Sequence, residues 1–145
     1  ATNRTVSMNF IVGHEDGEAM DIEAGPDRAG FMYPEDSVLT HSNHFCALDI
    51  DSEVAKLWPN SMYRHKRLEK LIRQGQEMDV QSIHDCMSDH FSHPHSICAH
   101  VDENEDETLQ LETRNSIVIA LKARKMWVTE GAPCENDYQE VSLAS

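Results

Sequence analysis

Hydrophobic periodicity changes twice along this chain, and the order of the changes limits the fold more than any single motif does. Val6, Met8, Phe10 and Val12 recur at period two, with Ser7, Asn9 and Ile11 between them, the pattern of a strand. Further on, Leu68, Leu71 and Ile72, then Val80, Ile83 and Met87, recur at helical spacing. Strand character then returns at Ser96–Val101, Thr113–Leu121 and Lys125–Thr129. Strands, a helix pair, then strands exclude a simple alternating βαβ unit. They predict an α+β layer arrangement, mostly antiparallel, with strands over about 4–45, helices over about 60–90 and strands over about 96–143.

Local signals place the boundaries. Glu15-Asp16-Gly17-Glu18 predicts the turn of a hairpin whose second strand is Ala19 to Glu23. Gly30 to Tyr33 and Ser37 to His41 predict two short strands around Pro34, and 46–59 reads as a loop closed by Trp58-Pro59. Asn60 or Ser61 is a candidate cap for the first helix, which Gly75 stops; Asp79 is the candidate cap of the second, with Pro94 as a stop beyond it. Lys122-Ala123-Arg124 predicts a hairpin turn, Tyr138 to Leu143 an edge strand, and the acid-rich Asp102 to Glu107 a solvated loop.

Charge narrows the partners. The chain has 145 residues with 26 Asp and Glu against 12 Lys and Arg, a net charge of −14. Such an acidic protein repels a phosphate backbone or an anionic bilayer, so neither nucleic acid nor a membrane is expected as partner. The longest apolar run, Ile117 to Leu121, is too short to span a bilayer. No secretory pattern is present, and Ser142-Leu143-Ala144-Ser145 is not an S-K-L tripeptide, so the expectation is cytoplasmic. Cys46, Cys86, Cys98 and Cys134 are scattered without a C-x-x-C, which predicts structural thiols in a reducing compartment.

Three constellations offer chemistry. His84, Cys86, His90, His93, His95, Cys98 and His100 crowd one stretch, and Cys86 and His90 would share a helix face at i, i+4, a start for a zinc site. No pair there has a finger or metalloprotease spacing, so caps, loop histidines and core thiols are expected, with no metal and no cofactor; a His/Cys metal-binding domain is an alternative. Cys46 beside His44 offers a thiol with a base, yet lacks an evident third group to orient the imidazole. Arg64, Lys66, Arg67, Lys70 and Arg73 make the first helix basic, either a solvated face paired with acids or a pocket edge for an anionic group such as the phosphates of coenzyme A.

A collinear set of motifs carries a resemblance. Leu39-Thr40-His41-Ser42-Asn43-His44-Phe45 is followed by Pro59-Asn60-Ser61-x-x-Arg64-His65-x-Arg67-Leu68-Glu69 and by Pro94-x-Ser96-Ile97-Cys98. Before them stand Asn9-Phe10-Ile11-Val12-Gly13, Gly17-Glu18-Ala19 and Ile22-Glu23-x-x-Pro26; after them come Thr113 to Ile119 and Val128-x-x-Gly131-x-Pro133. In this order they resemble the penicillin acyltransferase family, the isopenicillin N acyltransferase-like branch of the N-terminal-nucleophile (Ntn) hydrolases.

The resemblance implies a four-layer αββα sandwich, of which this chain is the C-terminal part. It also implies a precursor that cuts itself to expose an N-terminal cysteine, which attacks an amide or thioester carbonyl with its own α-amino group as base. An α-amino group titrates near neutrality and suits that task. The acyl group, from an amide or an acyl-CoA, then passes to an amine or to water. Asn43, in the position of the family's T/S-N-H asparagine, is the implied oxyanion donor; His44, His41 and Phe45 are supporting candidates. None of the four cysteines occupies the nucleophile's position, so the implied partner is an upstream segment of the same enzyme, and the isolated chain is expected to be inactive. Lining up Thr113 to Ile119 puts Leu109-Gln110 where the best-known member has a Ser-Arg pair, leaving Arg114 as a candidate substitute. That departure keeps a non-catalytic, degenerate module as the other alternative.

Overall fold

The computed structural model describes residues 5–51, 53–75 and 78–141. Two compact units divide the chain, Ala1–His65 and Lys66–Ser145. The class is α+β, with one antiparallel three-stranded sheet in each unit.

In the first unit, β1 (Met8–Gly13), β2 (Ala19–Ala24) and β3 (Ala29–Met32) pair in sequence order, with Phe10 opposite Ile22 and Ile22 opposite Phe31. Gly17 makes the first turn possible: at φ +97° it occupies a conformation an L side chain resists, and its N–H donates to His14 O at 3.0 Å. The expected alternation in β1 is present in sequence, but it does not sort buried from exposed. Phe10 is 45% exposed on one face and Ile11 53% on the other.

On β2 the usual polarity is reversed. The residues it buries completely include Asp21 and Glu23, whereas the alternate positions Met20 and Ile22 are only half-buried. Glu23 heads the fully buried side chains by volume. A carboxylate out of water is costly without a charge or hydrogen-bond partner, so this strand face organises a polar site around itself.

Two expectations in this unit are corrected. Ser37 to His41 does not form a strand: only a single bridge joins Glu35 and Val38, because Asp36 at φ 47° and Ser37 at φ 64° turn the chain back. The loop expected over 46–59 contains α1 (Glu53–Leu57), held by Lys56, which bridges Asp51 at 2.8 Å and Glu53 at 3.0 Å.

The helix α2 (Asn60–Gln74) runs across the division between the units. Leu68, Leu71 and Ile72 are half-buried, and the expected capping by Asn60 or Ser61 is absent, since both lie within the first turn and Ser61 N donates to Trp58 O. In the second unit Asp79 caps α3 (Val80–Met87) as expected, accepting from Ser82 N at 2.8 Å. The helix ends before His90, so Cys86 and His90 do not share a helix face.

Beyond α3, Ser96 to Val101 is bent, irregular chain and not a strand. Its backbone is drawn elsewhere: Cys98 N donates to Asp89 O, His100 N to Pro94 O, and Ala99 N to Thr113 Oγ1. Arg67 anchors this segment through both Asp89 oxygens and stacks its guanidinium over Phe91, 5.0 Å from the ring centroid. The second sheet has the order β4 (Ile117–Ala120), β5 (Lys125–Val128), β6 (Gln139–Val141). The strand expected from Thr113 begins only at Ile117, because Ser116 N donates to the Thr129 hydroxyl and not to a ladder carbonyl. The Lys122–Arg124 turn is present, with Arg124 at φ 53°. Of Tyr138 to Leu143, Gln139–Val141 forms the expected edge strand and 142–143 lies outside the described residues. Among the described residues, no helix is long and apolar enough to cross a membrane.

Candidate active site

The buried acids of β2 organise the loop that follows β3. Glu23 accepts the backbone N–H of Cys46 through Oε1, and those of Ala47 and Leu48 through Oε2 at 3.0 and 2.9 Å. It also binds His41 Nε2 at 2.8 Å. Asp21 Oδ2 lies 3.9 Å from the same imidazole nitrogen, and neither Asp21 oxygen has a hydrogen-bond partner in the structure. Burial disfavours a charge on His41, but the Cys46 sulfur, the Glu23 hydrogen bond and the Asp21 charge outweigh it and raise its pKa to about 9. Burial likewise works against the Glu23 carboxylate, and its hydrogen bonds prevail, holding its pKa below the ordinary value. The result is an imidazolium between two carboxylates at the base of the loop.

One hydroxyl arranges the next layer. Ser61 Oγ donates to Ser42 Oγ at 3.1 Å and accepts the Asn43 backbone N–H at 2.8 Å. Having given away its single proton, it can only accept from His44 Nδ1, 2.9 Å away. His44 therefore carries its proton on Nδ1 and presents the Nε2 lone pair to Cys46 Sγ at 3.5 Å. Burial, then the positive charge of His41, lower the His44 pKa, so the ring is neutral near pH 7. His65 Nδ1 stands 3.7 Å from the same sulfur. The third group missing from the sequence reading of Cys46 and His44 is thus Ser61, which had read as a helix cap.

Asn43 is exposed, with its side chain oriented by Arg64, whose Nη2 donates to Oδ1 at 2.6 Å. A guanidinium has donors only, so the amide must face it with oxygen, and the Nδ2 hydrogens remain for another acceptor. Arg64 is half-buried, and that burial lowers its pKa. A cleft of about 620 Å³ is lined by His41, Asn43, His44 and Phe45 together with Met8, Ile50 and Val54. A few convergent polar groups on one side and an apolar wall on the other suit a small ligand with an apolar portion.

The structure thus brings together His41, Asn43, His44 and Phe45. Arg114 lies in the other unit, exposed and paired with Glu112 at 2.9 Å. The rest of the basic helix is largely a solvated, paired face: Lys66 and Arg73 both bind Glu69. Missed in the sequence were Asp21 and Glu23, whose signal was two acids at period two within an otherwise apolar strand.

The sequence profile of the acyl-coenzyme A:6-aminopenicillanic acid acyl-transferase family matches residues 2–135, nearly the whole chain. The chain belongs to that family. No curated protein matches the chain. Membership in the acyl-transferase family gives the cluster around Asn43 its chemical context, because acyltransferase or hydrolase activity is what the family implies.

Proposed function

We propose that this chain supplies the oxyanion-binding part of an Ntn enzyme that moves an acyl group from an amide or a CoA thioester to an amine or to water. The observation that carries the reading is the Arg64–Asn43 hydrogen bond, which commits Oδ1 and leaves Nδ2 as a fixed donor beside an apolar cleft. A preoriented donor costs no reorganisation as charge develops on the attacked carbonyl oxygen, and is worth roughly 3 kcal/mol in such sites. The nucleophile is an N-terminal cysteine on an upstream segment, released by autoproteolysis, with its α-amino group taking the thiol proton. Attack forms the tetrahedral oxyanion against Asn43. Collapse forms the cysteine thioester and expels CoA thiolate, or an amine that takes the proton from the α-ammonium group. An amine or water then attacks the thioester, the C–S bond breaks, and the attacking group's proton returns to the cysteine and its α-amino group.

The apolar side chains left exposed on both faces of β1 support a missing upstream segment that completes a four-layer αββα sandwich. The acyl donor is a small molecule, with an acyl-CoA among the candidates that the family name suggests. In the whole enzyme, Asn43→Ala should lower turnover by on the order of 10²–10³ with the melting temperature unchanged. Unchanged turnover would remove Asn43 from the mechanism.

A second reading rests on Cys46, whose thiol faces the His44 Nε2 lone pair while Ser61 orients the ring. In that case Cys46 itself is the nucleophile, with His44 as base. Cys46→Ala separates the two: activity survives if the nucleophile lies upstream and vanishes if Cys46 attacks.

A further inference from the structure

A second set of side chains in the Lys66–Ser145 unit has no part in the acyl chemistry. His90, Cys98, His100 and Cys134 bring two imidazole nitrogens and two sulfurs within 4.8 Å of one another. Individual separations are 3.0 Å from His90 Nε2 to His100 Nε2, 3.4 Å from Cys98 Sγ to Cys134 Sγ, and 3.8 and 3.4 Å from His100 Nε2 to the two sulfurs. Zinc held at its usual N and S distances in a tetrahedron has edges of about 3.4 Å between nitrogens, about 3.6 Å between nitrogen and sulfur, and about 3.8 Å between sulfurs. Four of the six edges lie within about 0.4 Å of those lengths, and the two from His90 to the sulfurs are no longer than 4.8 Å.

The geometry points to a structural zinc site of the Cys2His2 type, formed by His90, Cys98, His100 and Cys134. Four protein ligands close the coordination sphere, which marks a structural and not a catalytic centre. Both ligand-bearing segments are fixed independently of any ion. Asp89 O and Pro94 O receive the Cys98 and His100 amides, and buried Ser96 donates to Cys98 O at 2.6 Å. On the other side Pro133 is fully buried and Asn136 Nδ2 donates to Ala132 O at 3.0 Å. The unit also needs a staple, since its buried hydrophobic core among the described residues amounts to Cys98 and Val118, with Pro133 beside them. A domain with so little apolar core gains most from a metal that ties distant loops together. Both sulfurs are free thiols in the structure.

The test is metal content and metal spectroscopy on the full chain, produced with added zinc and then desalted. Equimolar zinc is expected, lost in His100→Ala and Cys134→Ser but retained in Cys86→Ser. Unfolded variants would mimic that loss, so wild-type chain loaded with cobalt(II) provides the second measurement. It should show the intense visible bands of tetrahedral cobalt and a thiolate charge-transfer band. A chelator should lower the melting temperature of the wild-type chain, and zinc should restore it. Sub-stoichiometric zinc after loading, a weak octahedral cobalt spectrum, zinc content indifferent to the ligand variants, or a Cys98–Cys134 disulfide in metal-free protein would each overturn the site.

Discussion

His41 Nε2 donates to Glu23 Oε1 across 2.8 Å, with the imidazole 5% exposed and the carboxylate fully buried. That pair joins β2 to the loop carrying Asn43, because the same carboxylate also receives three consecutive amides from Cys46 to Leu48. Removing the charge leaves a buried imidazolium with Asp21 alone and turns an amide donor toward backbone N–H groups. Glu23→Gln should therefore destabilise the chain by about 3–5 kcal/mol, read from the urea midpoint.

The same pair sets a pH window. The His41 pKa rises from its ordinary 6.5 to about 9. Its contribution is therefore complete below about 6.5 and is lost as pH climbs through 9; the rise is worth roughly 3 kcal/mol. Glu23 is shifted down from 4.5, so its contribution is present above 4.5 and is lost as pH falls through the lowered value. Stability from this cluster should peak between about pH 4.5 and 6.5 and decline on both sides. Denaturation midpoints across pH, with the His41 imidazole followed by NMR, check the window, and Asp21→Asn should move the His41 pKa downward.

Arg64 acts on the proposed chemistry only through Asn43, which makes it a positioning residue. Arg64→Met should lower kcat by about tenfold, equivalent to about 1.4 kcal/mol, with KM little changed. Partial recovery of kcat in Arg64→Lys would mark positioning; a change in KM alone would point to substrate binding by Arg64 itself.

Ser61 serves three partners with one hydroxyl. Ser61→Ala leaves the Asn43 amide and His44 Nδ1 without their part-buried acceptor, at a cost of about 1–3 kcal/mol. Thermal melting measures that loss. Loss of the hydroxyl also frees the His44 tautomer, visible in its ring nitrogen chemical shifts.

Gly30 is small because the loop lies against it. A Cβ at that position would stand 2.8 Å from Leu48 Cγ and 2.9 Å from Ala47 Cβ. Gly30→Ala should cost about 1–3 kcal/mol by overpacking and push the Cys46–Leu48 amides off Glu23. Faster hydrogen exchange at those amides would report it.

Local signals survived into the structure where the chemistry is local. Gly17, Asp79 and Lys122–Arg124 each act within a few residues, and each turn or cap stands where the sequence placed it. Segments governed by distant partners were misread. Ser96 to Val101 has the composition of a strand, yet its amides are claimed by Asp89, Pro94 and Thr113. The five residues of α1 are too few to show a period. Asn43 and His44 stand together in one motif and line the same cleft, whereas Ser61 looks like a cap because its position at a helix start has two uses. Asp21 and Glu23 escaped because a strand is assumed to bury its apolar face, and β2 buries the opposite one.

β1 lies at the edge of its sheet with apolar side chains on both faces, and among the described residues its outer edge pairs with nothing. Such a strand carries a complete row of backbone donors and acceptors beside Phe10, Ile11 and Val12, the arrangement that recruits further strands into aggregates. The chain handled alone should therefore be limited by solubility before it is limited by unfolding. Recovery after dilution from denaturant should fall as protein concentration rises, and a lysine at position 11 should relieve that loss without touching the cleft.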